Sequence, residues 1–142
     1  VNARPGTFVD SSVLLDVFTE DPRWVSWSER ALTEALERGP LVVNAVVYAE
    51  VSARFSRIES LDAALPRRLI VEEIPRAAAF LAGRAHLAHR RAGGTRTQVL
   101  PDFLIGAHAG ITRRPLLTRD PRRVAHYLPG VRLIAPGAPS PH

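Results

Sequence analysis

The chain has 142 residues, 46% of them hydrophobic and none of them cysteine, so it can bury a core of its own but offers no disulfide, thiolate zinc site or cysteine nucleophile. All 19 basic side chains are arginine and the formal net charge is +5. The planar arginine fork matches phosphate, so this composition favours a nucleic-acid partner, although GC-biased codon usage gives the same balance. The most apolar window, LVVNAVVYA (41–49), is far shorter than the ~20 residues of a membrane helix, and no stretch near Val1 has the pattern of a signal peptide. A soluble, cytoplasmic protein with no membrane partner is the expectation.

In chain order, TFV (7–9) reads as the end of a strand, Asp10 as the turn, and SSVLLDVF (11–18) as a helix with apolar residues at helical spacing. A second helix over 22–38 is marked by Asp21 as N-cap, Pro22 in the first turn and Gly39 after the end. LVVN (41–44) is a buried-type strand, followed by a helix over 45–58, a linking helix over about 60–68 and a strand over LIVEEI (69–74) that Pro75 stops. An Ala-rich helix (76–92), a Gly-Gly loop (93–99) and a helix from Pro101 to about Gly110 come next. PLLT (115–118) and VRLIA (131–135) are strands flanking a helix over 121–128. Alternating strands and helices predict an α/β fold, a parallel sheet covered by helices on both faces. Residues 1–135 are expected to form one domain, and the Pro-rich 136–142 a disordered tail.

Four acids fall at comparable places in this pattern. Asp10 ends the first strand, Glu50 lies in the helix after the second, Asp102 opens a later helix, and Asp120 follows PLLT. Ligands of open α/β sheets bind outside the carboxyl ends of the strands, so at least Asp10 and Asp120 should face that crevice. Carboxylates gathered there repel one another unless a divalent cation compensates, and hard oxygen donors without a Cys or His cluster suit Mg²⁺ or Mn²⁺. Each acid also has an ordinary reading: Asp10 and Asp120 as helix caps, Asp102 as a first-turn carboxylate favouring the helix dipole, Glu50 as the partner of Arg54.

Taken together, FVDSSVLLD, VVYAEVSARF, PDFLIGAHA and LLTRD resemble, in order and spacing, the PIN-domain family, and the whole chain resembles its VapC-type toxins of bacterial toxin–antitoxin pairs. The resemblance covers residues 7 to about 135. It implies a three-layer α/β/α sandwich around a mainly parallel sheet and an endoribonuclease that hydrolyses RNA with Mg²⁺ or Mn²⁺ held by Asp10, Glu50, Asp102 and Asp120. Ser11 and Thr118 match the family's hydroxyl positions beside the first and last acids, and Gly106 its small residue for close packing. The family further implies a small VapB-type antitoxin that blocks the site, and a homodimer, for which the helix 22–38 with Trp24, Trp27, Leu32 and Leu36 has enough apolar surface.

Arginines near the Gly-Gly loop (Arg90, Arg91, Arg96) and around the last motif (Arg113, Arg114, Arg119, Arg122, Arg123) are expected along an RNA path, Arg119 foremost because it adjoins Asp120. His86 and His89, three apart, lack a third metal ligand; Trp24 and Trp27 fit packing better than base stacking; Asp16, six residues after Asp10, either edges the site or, as the favoured reading, caps or faces solvent. Receiver domains and haloacid-dehalogenase phosphatases also gather acids at strand ends, but both use a site lysine, and no P-loop motif occurs. The alternative left open is a non-catalytic RNA-binding or scaffold protein of the same fold.

Overall fold

The computed structural model describes residues 3–94 and 99–137. Arg96 and residues 138–142 of the expected tail lie outside them. Five short strands, β1 (Thr7–Val9), β2 (Leu41–Val43), β3 (Leu69–Val71), β4 (Leu116–Leu117) and β5 (Leu133–Ile134), form one sheet in the order β3-β2-β1-β4-β5. Every pairing is parallel, with Phe8 between Val42 and Leu116. The expected strands are all present. The central strands β1 and β2 are buried throughout, as continuous apolar runs between two helical layers must be, whereas the edge strand β3 leaves Ile70 and Val71 exposed.

Among the described residues seven helices fill the connections: α1 (Ser11–Phe18), α2 (Val25–Arg38), α3 (Ala45–Ser52), α4 (Ile58–Ala64), α5 (Arg76–Arg91), α6 (Leu100–Ile111) and α7 (Arg122–Tyr127). From β1 the chain steps outward through β2 to β3, then crosses to β4 and β5 on the other side. Right-handed crossovers therefore put α1 to α4 on one face and α5 to α7 on the other. The step direction reverses between β1 and β4, and that junction is the crevice where such sheets hold ligands. Asp10 and Thr118 follow the two strands that border it. None of the helices among the described residues is long and apolar enough to cross a membrane.

Several boundaries differ from the sequence expectation for visible reasons. The helix predicted over 45–58 stops at Ser52, whose hydroxyl bonds back to the Tyr48 carbonyl, and α4 starts earlier than expected at Ile58. The strand predicted to Ile74 ends at Val71; the Glu72 amide still donates to the Val43 carbonyl, and its side chain turns inward to an ion pair with Arg114. Asp21 does cap its helix: its Oδ1 accepts from the Arg23 and Trp24 amides, although regular helix begins only at Val25. Gly106 of α6 faces Val124 and Leu128, where an added Cβ would come within about 3.0–3.1 Å, so its lack of a side chain lets α7 close on α6.

The inward turn of Glu72 builds a polar network inside the fold. Arg114, only 5% exposed, donates from Nη1 and Nη2 to the two Glu72 oxygens at 2.9 and 3.0 Å, and its Nε holds the Pro5 carbonyl. Arg114 is therefore not on any RNA path, contrary to the sequence expectation. The Asn44 Oδ1 caps α3 by accepting from the Val46 and Val47 amides, so its Nδ2 must donate to His108 Nδ1 at 3.1 Å, and His108 Nε2–H then donates to Glu72 at 2.8 Å. His108 is thereby fixed as one neutral tautomer, since a second proton would point at the Asn44 amide.

Burial pushes the pKa of His108 below its ordinary 6.5 despite Glu72 pulling the other way, and Arg114 chiefly holds Glu72 down to about 2. Both folded pKa values lie below the unfolded ones. The stability they contribute is thus fully present above about pH 6.5 for His108 and above about 4.5 for Glu72, and is lost as pH falls through each folded value. The urea midpoint should drop as pH is lowered from 7 to 5, and His108→Gln should flatten that part of the curve; an identical slope in the variant would contradict the assignment.

Candidate active site

Asp10 occupies the N-cap position of α1 but its side chain makes no cap bond. Its Oδ2 instead accepts from Ser12 Oγ and Thr118 Oγ1, both at 2.8 Å, and its Oδ1 has no hydrogen-bond partner among the described residues. Thr118 Oγ1 in turn accepts from the Asp120 amide at 3.1 Å, tying the loop after β4 to the end of β1. Two hydroxyls thus fix one oxygen of Asp10 and leave the other toward the cleft. Ser12, absent from the sequence expectation, shares this work; a hydroxyl two residues after the acid was the available signal.

The four acids fall in one region without forming a ready cage. Asp10, Asp102 and Asp120 line a cleft of about 270 Å³ together with Ser11, Ser12, Thr118, Arg119 and Arg123. Glu50 lies outside that lining, hung from Ser11 by a 2.8 Å bond from Oγ to Oε1, and makes no pair with Arg54. Burial first, and then the Asp10 and Asp102 charges, raise the pKa of Glu50 against the lowering by Ser11. Asp102 is also raised, by burial and then by Asp10, with Asp120 adding and Arg123 opposing. The acids therefore sense one another's charge. Among the described residues, however, no three acids or histidines stand close enough to hold a metal ion as they are.

One of these acids is already paired with an arginine, Arg123. From the start of α7 its Nη1 donates directly to Asp102 Oδ2, taking up a carboxylate that faces the cleft. Asp120 is 59% exposed and makes only a long 3.4 Å contact with Arg122, so it neither caps α7 nor is firmly held. The donor set is carboxylate and hydroxyl oxygen throughout, the chemistry that hard divalent cations select. By the chemistry of their donors, though not by their present spacing, the residues fit such an ion.

Arg119 is held differently. Its Nε donates to both oxygens of Asp16, at 2.8 and 3.1 Å, and Asp16 also accepts from Ser28 Oγ at 2.9 Å. Asp16 is 2% exposed, so the expectation that it caps or faces solvent is wrong. Trp24 lies under the Arg119 guanidinium at 5.6 Å, while Trp27, Leu32 and Leu36 join the core. Arg91 stands exposed at the end of α5 and is not among the cleft residues. His89 packs edge-on against Phe103 and Tyr127.

Comparison with known proteins bears on the fold and the family. No curated protein matches the chain. In fold it is similar to a chain of the VapBC2 structure from Rickettsia felis bound to promoter DNA, with a TM-score of 0.68 at 16% identity over 91% of this chain and 97% of that one. It is likewise similar to VapBC-1 from nontypeable Haemophilus influenzae, at 0.67 and 16% over 91% and 96%, and to a toxin–antitoxin complex from Klebsiella pneumoniae, at 0.59 and 22% over 88% and 94%. The family model for the PIN domain matches residues 7–127, from the first strand through α7, and by that match the chain belongs to the PIN-domain family.

Proposed function

We propose that this PIN domain, acting as one unit over residues 1–135, is a metal-dependent endoribonuclease whose active centre is the acid-lined cleft, and that it is the toxin of a type II toxin–antitoxin pair. The observation carrying the reading is the convergence of Asp10, Asp102 and Asp120 on one cleft at the switch point, with Glu50 beside it. The structures it resembles in fold are of toxin–antitoxin complexes, which supports a cognate antitoxin of the VapB type as the partner that covers the cleft. A homodimer and a cytoplasmic location accompany the reading.

Asp10 and Asp102 would hold Mg²⁺ or Mn²⁺, with Glu50 and Asp120 as further ligands, direct or through water. A divalent cation bound there supplies charge to the phosphate and lowers the pKa of an attacking water. The chain's own residues do the rest. Ser12 and Thr118 orient Asp10, and Ser11 orients Glu50. One of the four acids, through a water bound to the ion, would serve as the base. Arg123, released from Asp102, is placed to meet the RNA backbone, with Arg91 and Arg96 as outlying contacts.

Cleavage of a single-stranded oligoribonucleotide in Mg²⁺ or Mn²⁺, arrested by EDTA and restored on adding the ion back, tests this reading; cleavage indifferent to the chelator would sink it. A second expectation concerns Arg123. Because it competes with the cation for Asp102, Arg123→Ala should bind Mn²⁺ several-fold more tightly by calorimetry while handling RNA less well. Equal or weaker Mn²⁺ binding would show that the ion pair does not guard the site.

A further inference from the structure

We infer that Arg119 is a fixed phosphate anchor on the rim of the acid cleft, and that Asp16 and Trp24 are the positioning residues that aim it. The inference rests on the nuclease reading, in that the phosphate belongs to a single-stranded RNA entering that cleft.

Three observations carry it. Arg119 lines the cleft yet makes no ion pair with Asp10, Asp102 or Asp120; among the described residues its one acid partner is Asp16, on α1 and bonded to Ser28 of α2. The pair consumes Nε alone. None of the hydrogen bonds among the described residues uses its Nη1 or Nη2, and neither atom is among the buried unpartnered ones, so four N–H donors are left to solvent at the cleft. The seat is built from several sides: Ser28 Oγ steadies Asp16, the Trp24 ring supports the guanidinium from below, and the Arg119 amide donates to Ser12 Oγ at 3.2 Å. Ser12 also donates to Asp10, so the anchor and the first acid share one hydroxyl.

Burying a carboxylate such as Asp16 is costly, and a surface arginine needs no such support to stay soluble. A guanidinium gripped through Nε, with an indole face 5.6 Å from its centre that it shares with Arg23 at 5.2 Å, loses rotamer freedom beforehand, which is the condition for presenting the Nη pair to a phosphate in a fixed direction. Arg122, 89% exposed and loosely tied to Asp120, has none of this. The two therefore differ in kind: Arg122 supplies diffuse attraction, and Arg119 sets where the backbone sits relative to Asp10.

The test is binding of a fluorescent single-stranded oligouridylate to the full chain in EDTA, over a range of salt, for wild type, Arg119→Ala, Asp16→Asn and Trp24→Leu. Arg119→Ala should weaken binding roughly tenfold at moderate salt and reduce the slope of log affinity against log salt by about 0.7, the value for one phosphate contact on a single strand. Asp16→Asn gives the discriminating result. It removes a negative charge from an RNA-binding protein, so charge counting alone expects tighter binding, whereas loss of the seat expects weaker binding with a reduced slope. A role confined to holding α1 to the loop after β4 would shift the melting temperature and leave the slope alone. Trp24→Leu changes no charge and should weaken binding in the same direction, which keeps the inference testable if Asp16→Asn fails to fold. Equal or tighter binding by both seat variants with an unchanged slope would overturn the anchor. Metal-dependent cleavage by the wild type would in that event leave the nuclease reading standing, and its absence would remove both.

Discussion

Asp10→Asn is expected to slow RNA cleavage by on the order of 10²–10³-fold while leaving the protein folded. The substitution keeps an oxygen that can accept from Ser12 and Thr118, whose hydroxyls hold the Asp10 Oδ2 at 2.8 Å, so the end of β1 and the loop after β4 stay joined. What it removes is charge at a cleft position where one carboxylate oxygen, Oδ1, has no hydrogen-bond partner among the described residues. Because Asp10 also helps to raise the pKa of both Glu50 and Asp102, its neutralisation relieves repulsion in the resting protein. The variant should therefore melt no lower than wild type. Activity near wild type would mean that Asp10 is no more than the turn residue its position before α1 also allows, and a large fall in melting temperature would assign it a structural role instead.

The second large effect lies away from the cleft. Glu72→Ala should destabilise the fold by roughly 3–5 kcal/mol, because Arg114 would remain buried with its charge unpaired and His108 would lose the acceptor for its Nε2 proton. Against a typical domain stability of about 5–15 kcal/mol this is a large fraction, enough to leave part of the chain unfolded at 37 °C. The pair as a whole need not be worth that much, since replacing both partners by apolar groups of similar size can be neutral. The cost comes from orphaning the arginine. Urea unfolding of Glu72→Ala beside Glu72→Ala/Arg114→Leu separates these: the double variant should recover much of the loss. A single variant within about 0.5 kcal/mol of wild type would contradict the account.

The site was more legible in the sequence than the network was. Asp10 and Asp120 follow strands whose apolar runs are short and bounded by turn residues, and strand ends in a parallel sheet leave little choice about where the next side chain goes. Glu50 and Asp102 were picked out beside them by their places in the strand–helix pattern, a weaker signal because a helix position does not fix a side chain's direction in the same way, and the family resemblance then gave all four the role of metal ligands. Pairings between remote charges were not readable. Arg119 and Asp16 are 103 positions apart, and Arg114 and Glu72 are 42 apart. Nothing local distinguishes the buried Arg114 from its exposed neighbour in ITRRP, or the buried Asp16 of VLLDV from a surface acid. In both cases the tertiary partner decides, and it turned an expected RNA contact into a core ion pair and an expected surface acid into the seat of an arginine. The ends of α3 at Ser52 and of β3 at Val71 also fall short of the sequence expectation.

The central claim, that these acids cut RNA, is tested most directly by incubating total RNA with the purified, antitoxin-free protein in Mn²⁺ and mapping the new ends, with EDTA and Asp10→Asn controls in parallel. The account predicts discrete fragments in the wild-type reaction that are absent from both controls. Intact RNA in every reaction, or the same fragments from Asp10→Asn, would contradict it, and intact RNA throughout would favour a non-catalytic binder built on the same fold.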